Sequence, residues 1–426
     1  MRRPTTISFP AVLAALAILA AACSDDTSTA ETPAPTTTVT ATTAADSTAA
    51  ATTAAPATTA APPTAVPTTA GPPPTVAING PDFDEVTAAI ETFVGAQGLN
   101  GAGFVVVDRD DGVLYQQSFG EFTDDRISLI ASSSKMLTAG VLVKLHEDGA
   151  FDIDAPVADY VDWGAGNPDI TTAQLLSNSS GLVGLIDDPT YAPYLCQYIH
   201  TGTLQDCAEA IMTTPEDDEL ITPPDSTFRY GGGQWQVAGA VAEVVSGKSW
   251  AELIDETYVQ PCGVDSLGYT NHFAQIQSEA GPFSYPDPFN GDPNSVEPTV
   301  NPNMEGGAYI DAGDYGTLLL MHLRDGMCGD TQALTPESIE RMHTDRIGER
   351  YDGSTGTGLE GYGLGWWLDR DQPGYSQDGG AFGTVPWIDE ERGYGAYLVI
   401  EKTNGVGSEL ATELKPMLET IIDARG

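Results

Sequence analysis

The chain has 426 residues, 61 of them acidic against 17 basic, for a formal net charge of −44. Nucleic acid and anionic membrane surfaces are therefore excluded as electrostatic partners, since both would be repelled. The five cysteines include no Cys-x-x-Cys and the five histidines show no paired spacing, so neither a metal nor a cofactor is expected.

Taken in chain order, the first 22 residues read as an export signal. Arg2 and Arg3 form a basic start, residues 11–22 (AVLAALAILAAA) an apolar core, and Ala20-Ala21-Ala22 a small-residue cleavage site. Twelve apolar residues are too few to span a bilayer as a helix. Cys23 follows directly and resembles the lipidated cysteine of a bacterial lipoprotein signal, although Ala20 stands where such signals usually carry leucine. After Cys23, residues up to 79 are almost wholly Thr, Ala, Pro and Ser. They cannot bury a core and read as a disordered tether, of end-to-end distance roughly 40 Å. The expected place is the outer face of a bacterial membrane, lipid-anchored or secreted. With Cys23 set aside, Cys196, Cys207, Cys262 and Cys328 remain, an even number suited to two disulfides. Three pairings are open; Cys196–Cys207, which closes a short loop, with Cys262–Cys328 is preferred.

Residues 80–426 are long enough for a large α/β domain. An amphipathic helix is predicted over 82–96, then paired strands over 103–107 (GFVVV) and 114–118. A helix is expected to open at Ser132, with Met136, Leu137, Val141, Leu142 and Leu145 at helical spacing, and to stop at Asp148-Gly149. Short helices follow over 171–176 and 234–245. Residues 190–226 read as an irregular insertion held by a disulfide, and 272–305 as loop. Helices are predicted over 312–325 and 336–343, strands over 364–368, 384–388 and 395–400, and a last helix over 408–422. Strands at both ends and helices between them predict an α+β fold: an antiparallel sheet built from both termini, with an inserted helical region.

Ser132 and Lys135 carry the chemistry. Three apart at a helix start, they share one face, and the lysine reaches the serine hydroxyl. A cation in the first turn opposes the helix dipole, and a half-buried ammonium is poorly solvated; both lower the lysine pKa. A neutral lysine beside a serine is a base beside a nucleophile.

Several further boxes, in order, resemble the serine β-lactamase and penicillin-binding-protein superfamily, in particular its branch of class C β-lactamases, D-peptidases and family VIII esterases. They are residues 152–160 (DIDAPVADY), 170–182 (ITTAQLLSNSSGL), 228–247 (FRYGGGQWQVAGAVAEVVSG), 361–366 (GYGLGW) and 379–389 (GGAFGTVPWID). The resemblance implies a β-lactamase/transpeptidase-like fold and an acyl-enzyme route. Ser132 would be the nucleophile, Lys135 and Tyr230 the proton-handling pair, and the N–H groups of Ser132 and Ala381 the oxyanion hole. Asp378-Gly379-Gly380 aligns with the family's Lys-Thr-Gly box, and Lys402-Thr403-Asn404 is a decoy that follows the wrong strand. Two departures stand out. Gly232 replaces an asparagine whose amide contacts substrate carbonyls in the β-lactamases, and Asp378 replaces a lysine that receives a substrate carboxylate. An aspartate there would repel that carboxylate. The expected activity is hydrolysis of neutral or cationic esters, amides or peptides by a monomer. D-amino-acid peptidase, β-lactamase and non-catalytic binding module are the alternatives.

Overall fold

The computed structural model describes residues 81–425 except 279, 282 and 349–360; the expected signal peptide, Cys23 and the tether lie outside the described residues. Helix α1 (Asp84–Gln97) ends at Gly98, whose left-handed φ of 62° caps it, as the sequence pattern suggests. Strands β1 (Gly101–Asp108) and β2 (Gly112–Gly120) then form a hairpin. The remaining strands of the large sheet come from the far end of the chain: β8 (Gly361–Tyr362), β9 (Trp367–Leu368), β10 (Tyr375–Gln377), β11 (Thr384–Asp389) and β12 (Tyr394–Val399). The order β2-β1-β12-β11-β10-β9-β8, antiparallel throughout, joins the two termini through β1 and β12. The α+β expectation and its sheet of mixed origin hold. Of the strand expected over 364–368 only 367–368 is extended: a turn centred on Gly365 (φ 81°) precedes it and separates β9 from β8, which the sequence reading did not include.

Both sheet faces are covered, which is why residues 103–107 read as an unbroken apolar run. Phe104 and Val106 point into one core with Trp387, Leu398 and helix α9 (Asn404–Arg425) through Leu410, Leu414 and Leu418. Val105 and Val107 point the other way, toward Tyr397 and helix α7 (Ala312–Leu323) through Tyr315 and Leu319. That second core is continuous with the helical region, built on α2 (Lys135–Glu147), α3 (Thr172–Leu176), α4 (Leu204–Met212), α5 (Gln234–Ser246) and α6 (Trp250–Ile254). Helix α8 (Pro336–Met342) packs on α2. A small sheet of β3 (Ser128–Leu129), β5 (Ala308–Ile310) and β4 (Gly268–Tyr269) flanks the start of α2, and β6 (Met327–Cys328) pairs with β7 (Thr331–Gln332) after α7.

Helix α4 lies within residues read from sequence as irregular. Thr203 caps it, its Oγ1 accepting from the Asp206 N–H at 3.0 Å. Disulfides join Cys196 to Cys207, fastening α4 to the preceding turn, and Cys262 to Cys328, with Cα separations of 5.4 and 4.9 Å. Among the described residues, no helix is long and apolar enough to cross a membrane.

Candidate active site

Ser132 lies in a 3-10 turn, Ala131–Ser134, that leads into α2. Its two neighbours are consumed by architecture. Ser133 Oγ donates to the Asp378 carbonyl at 2.6 Å and meets Thr384 Oγ1 at 2.8 Å. Ser134 Oγ donates to the Ala131 carbonyl and accepts from the Ala308 N–H. Both are fully buried, whereas Ser132 is half-buried and its hydroxyl accepts from Lys135 Nζ at 3.1 Å. Just before it, Ala131 holds a left-handed φ of 47°, a strained backbone that the surrounding hydrogen bonds enforce.

The Lys135 side chain is fully buried, and its three N–H bonds are divided between Ser132 Oγ, the Glu305 carbonyl at 3.1 Å and Glu305 Oε2 at 3.3 Å. The Tyr230 ring lies 4.7 Å from Nζ. Burial alone pulls the lysine pKa down, but Tyr230, Glu305 and Asp378 around it more than offset that, and the pKa is raised. The sequence expectation of a neutral lysine is thereby corrected. The helix dipole and desolvation are real, and two carboxyl groups supplied from distant parts of the chain outweigh them.

Tyr230 is placed by the 170–182 box. Asn178 Oδ1 accepts from the Gly231 N–H at 3.0 Å, from Trp235 Nε1 at 3.0 Å and from Gln234 Nε2 at 3.2 Å, which pins the turn after the tyrosine. The phenol ring stacks on Trp367 at 4.9 Å and meets Tyr362 edge-on. Burial raises the Tyr230 pKa; Lys135 and the Ser132 hydroxyl draw it down, Asp378 and Glu305 push it up, and the balance leaves the phenol protonated.

The segment aligned with the family's third box does reach the nucleophile turn. A Cβ on Gly380 would lie 2.1 Å from the Ile130 carbonyl and 3.1 Å from Ser133 Oγ, so only glycine permits this approach. Ala381 sits in the β10–β11 turn, its carbonyl accepting from the Asn404 N–H at 2.8 Å. Among the described residues, neither the Ser132 N–H nor the Ala381 N–H has a hydrogen-bond partner. Lys402 is exposed, beyond the end of β12.

Asp378 departs from expectation. Its side chain is fully buried rather than presented to a substrate, with Oδ2 accepting from the Met136 N–H at 3.3 Å and Oδ1 without a partner. Burial drives its pKa well up, against the pull of Lys135 and the Met136 N–H. Direct repulsion of a substrate carboxylate is therefore not its role. Gly232 adopts a φ of 87°, and a Cβ there would meet the Val183 carbonyl at 2.9 Å. Its N–H donates to Glu305 Oε2 at 2.8 Å. Glu305 is the residue that sequence reasoning missed: a lone acid between Met304 and Gly306-Gly307, in a stretch read as loop, with no spacing to link it to Lys135.

Of the aromatic residues near the boxes, Trp235, Trp366, Trp387 and Phe382 are buried packing groups; Trp367 backs Tyr230. His322, His343 and Ser376 form a buried hydrogen-bonded chain on Trp366. Among the described residues, no group of three or more His, Cys, Asp or Glu is placed to hold a metal ion.

Comparison with known proteins agrees with this geometry. Penicillin-binding protein 4 of Amycolatopsis lactamdurans is 27% identical over 338 residues, covering 73% of this chain and 82% of that protein. Protein flp of Staphylococcus aureus is 26% identical over 137 residues, 31% of this chain and 26% of its own length. Among solved structures, EstCE1, a hydrolase with promiscuous acyltransferase activity, superposes with a TM-score of 0.60 at 19% identity, over 76% of this chain and 93% of its own. The octameric penicillin-binding protein homologue from Pyrococcus abyssi gives 0.59 at 20% identity, over 80% and 78%. The Beta-lactamase family pattern matches residues 86–415, and the chain belongs to that family.

Proposed function

We propose that this protein is an exported serine hydrolase that works through an acyl-enzyme on neutral or cationic esters or amides. The observation that carries the reading is the Ser132 environment. Of three consecutive serines, only this one is spared from architecture, and a buried lysine grips its hydroxyl with a tyrosine phenol alongside. Ser132 Oγ adds to the substrate carbonyl, and the oxygen that becomes negative is received by the unengaged N–H groups of Ser132 and Ala381. Collapse expels the alcohol or amine, which takes its proton from the Tyr230 hydroxyl. Water then repeats the sequence and releases the acid.

The substrate preference rests on what stands at position 378. A buried aspartate offers no cation to a substrate carboxylate, and the excess of acidic residues over the whole chain disfavours anionic substrates further. The hydrolase and penicillin-binding-protein neighbours support the hydrolase class, and the two disulfides support export. Residues 1–22 would be removed as a signal peptide, Cys23 lipidated, and residues 24–79 would hold the 80–426 domain away from the membrane.

The test is labelling with a fluorophosphonate probe followed by mass mapping, then turnover of p-nitrophenyl esters, D-peptides and nitrocefin by wild type and Ser132→Ala. An adduct on Ser132 and faster ester than nitrocefin hydrolysis are expected. No adduct would favour a binding module, and faster nitrocefin hydrolysis would overturn the substrate preference.

A further inference from the structure

A protonated Lys135 raises a problem for the proposed mechanism: an ammonium cannot take the Ser132 proton. The structure places an acceptor behind it. Glu305 Oε2 lies 3.3 Å from the Lys135 Nζ that also contacts Ser132 Oγ at 3.1 Å. The same oxygen accepts the Gly232 N–H at 2.8 Å, and a Cβ on Gly231 would come within 2.5 Å of it. Gly231 thus makes room for this carboxyl and Gly232 donates to it, so the turn after Tyr230 and Glu305 are one feature. The Glu305 carbonyl holds a further Nζ hydrogen, so backbone and side chain of one residue fix the lysine.

We propose that Glu305 is the proton acceptor behind Lys135, so that serine activation runs Ser132 to Lys135 to Glu305. This rests on the serine-hydrolase reading above. One Nζ proton passes to Glu305 Oε2, and the electron pair this frees on nitrogen takes the Ser132 proton as Oγ bonds to the carbonyl carbon. The carbonyl π pair moves onto oxygen, Lys135 stays cationic, and Glu305 becomes neutral. On collapse the leaving group takes the Tyr230 proton, Lys135 reprotonates Tyr230, and Glu305 returns its proton to Lys135; charge and protons balance. Glu305 touches neither Ser132 nor the leaving group and is a positioning and proton-holding residue.

The other groups facing this pair do not replace it. Tyr230, Tyr198 and Tyr362 have phenols whose pKa values burial raises, so they rest protonated. Asp378 faces Lys135 as well, but its Oδ2 accepts the Met136 N–H and its Oδ1 has no hydrogen-bond partner, so neither oxygen is bonded to Nζ. Glu305 remains as the carboxylate in direct contact with Nζ.

The experiment measures the rate of fluorophosphonate labelling of Ser132 from pH 5 to 10 in the full-length protein and its Glu305→Gln and Glu305→Asp variants. Labelling isolates serine activation from later steps. Glu305→Gln should be slower by roughly 100-fold at pH 7. It should recover at alkaline pH, where Lys135 loses its proton to solvent, so the acid limb moves up by about two pH units or more. Glu305→Asp should keep the wild-type limb at reduced amplitude. A Glu305→Gln profile parallel to wild type at every pH, or unchanged from it, overturns the proposal. A second measurement needs no variant: the wild-type labelling rate in H2O–D2O mixtures should be bowed, as for two protons in flight, and a linear dependence also overturns it. If wild type gives no Ser132 adduct, the hydrolase reading fails and this one with it. If wild type is labelled but the profiles run parallel, only the role of Glu305 falls.

Discussion

Adjacent glycines in the β10–β11 connection should respond in opposite ways to the same added methyl group. A Cβ on Gly379 would meet Asn404 Nδ2 at 3.1 Å and the Thr384 carbonyl at 3.8 Å, a contact the amide end of a side chain can relieve. A Cβ on Gly380 would lie 2.1 Å from the Ile130 carbonyl and 2.2 Å from Thr384 Oγ1. That hydroxyl is held by the Ile130 carbonyl at 2.9 Å and Ser133 Oγ at 2.8 Å. Turning it away loses two buried hydrogen bonds, about 1 kcal/mol each. Separating the two backbones adds about 1–3 kcal/mol of overpacking. Gly380→Ala should therefore lose about 3–5 kcal/mol, or else the turn carrying Ala381 withdraws from Ser132.

A withdrawal near 1 Å would lower turnover by roughly 100-fold with the melt little changed. Gly379→Ala should stay within about 1 kcal/mol of wild type. Urea melts and kcat/KM on a short p-nitrophenyl ester, measured on both variants, separate the cases. Equal effects of the two substitutions, or a larger effect of Gly379→Ala, would refute the placement of this turn against the nucleophile.

Two predictions concern stability alone. The chain-entropy relation assigns about 4.3 kcal/mol to Cys262–Cys328, with its separation of 66, and about 2.8 to Cys196–Cys207, with 11. Removing the pairs separately, as double serine variants, should give melts about 1.6 kcal/mol apart in that order; the reverse order would count against the loop argument. Burial lowers the Lys415 pKa to about 8, with Nζ donating to Gln377 Oε1 at 3.1 Å and the Tyr375 ring 4.8 Å away. Because its folded pKa lies below the unfolded one, the ammonium opposes folding below pH 8, and that opposition fades as pH rises to about 10. Part of the side chain reaches water, so Lys415→Met should gain only about 1–2 kcal/mol at pH 7, and the gain should vanish by about pH 10 in pH-dependent urea melts. A pH-independent gain would point to packing instead.

Sequence revealed most where the signal was periodic or carried by several residues in order. The strands that became β1, β2, β11 and β12 lie within two residues of their predicted bounds, because burial on both faces or alternation marks them directly. The short strands β9 and β10 carry no such period, and β10 went unseen. Helix α6 was missed although its start was written in the chain: Ser249 and Glu252 form a reciprocal capping box, with Ser249 N–H to Glu252 Oε2 at 2.8 Å. Residues from the 170–182 and 228–247 boxes and the 378–381 segment come together around Ser132, yet their protonation could not be read. It depends on groups brought in from residues 305 and 378, which no local pattern connects to Lys135.

That dependence changes what the two departures from the family pattern mean. Taken singly, Gly232 and Asp378 look like losses: a missing amide and an inverted charge. In the structure they belong to one arrangement around Lys135. Gly231 clears the space that the Glu305 carboxyl occupies, Gly232 donates its N–H to it, and Glu305 in turn contacts the lysine. Asp378, placed at the first turn of α2 through the Met136 N–H, adds a second carboxyl whose pKa burial drives well up. A second full negative charge in so dry a pocket would cost far more than the lysine could return. The site therefore gathers a buried lysine, the Glu305 carboxyl in contact with it and a second, fully buried carboxyl. Substituting asparagine at position 232 would not restore the family arrangement, because a side chain there meets the Val183 carbonyl at a φ of 87°. The departures form a coupled replacement, and the proton route is the property they should alter together.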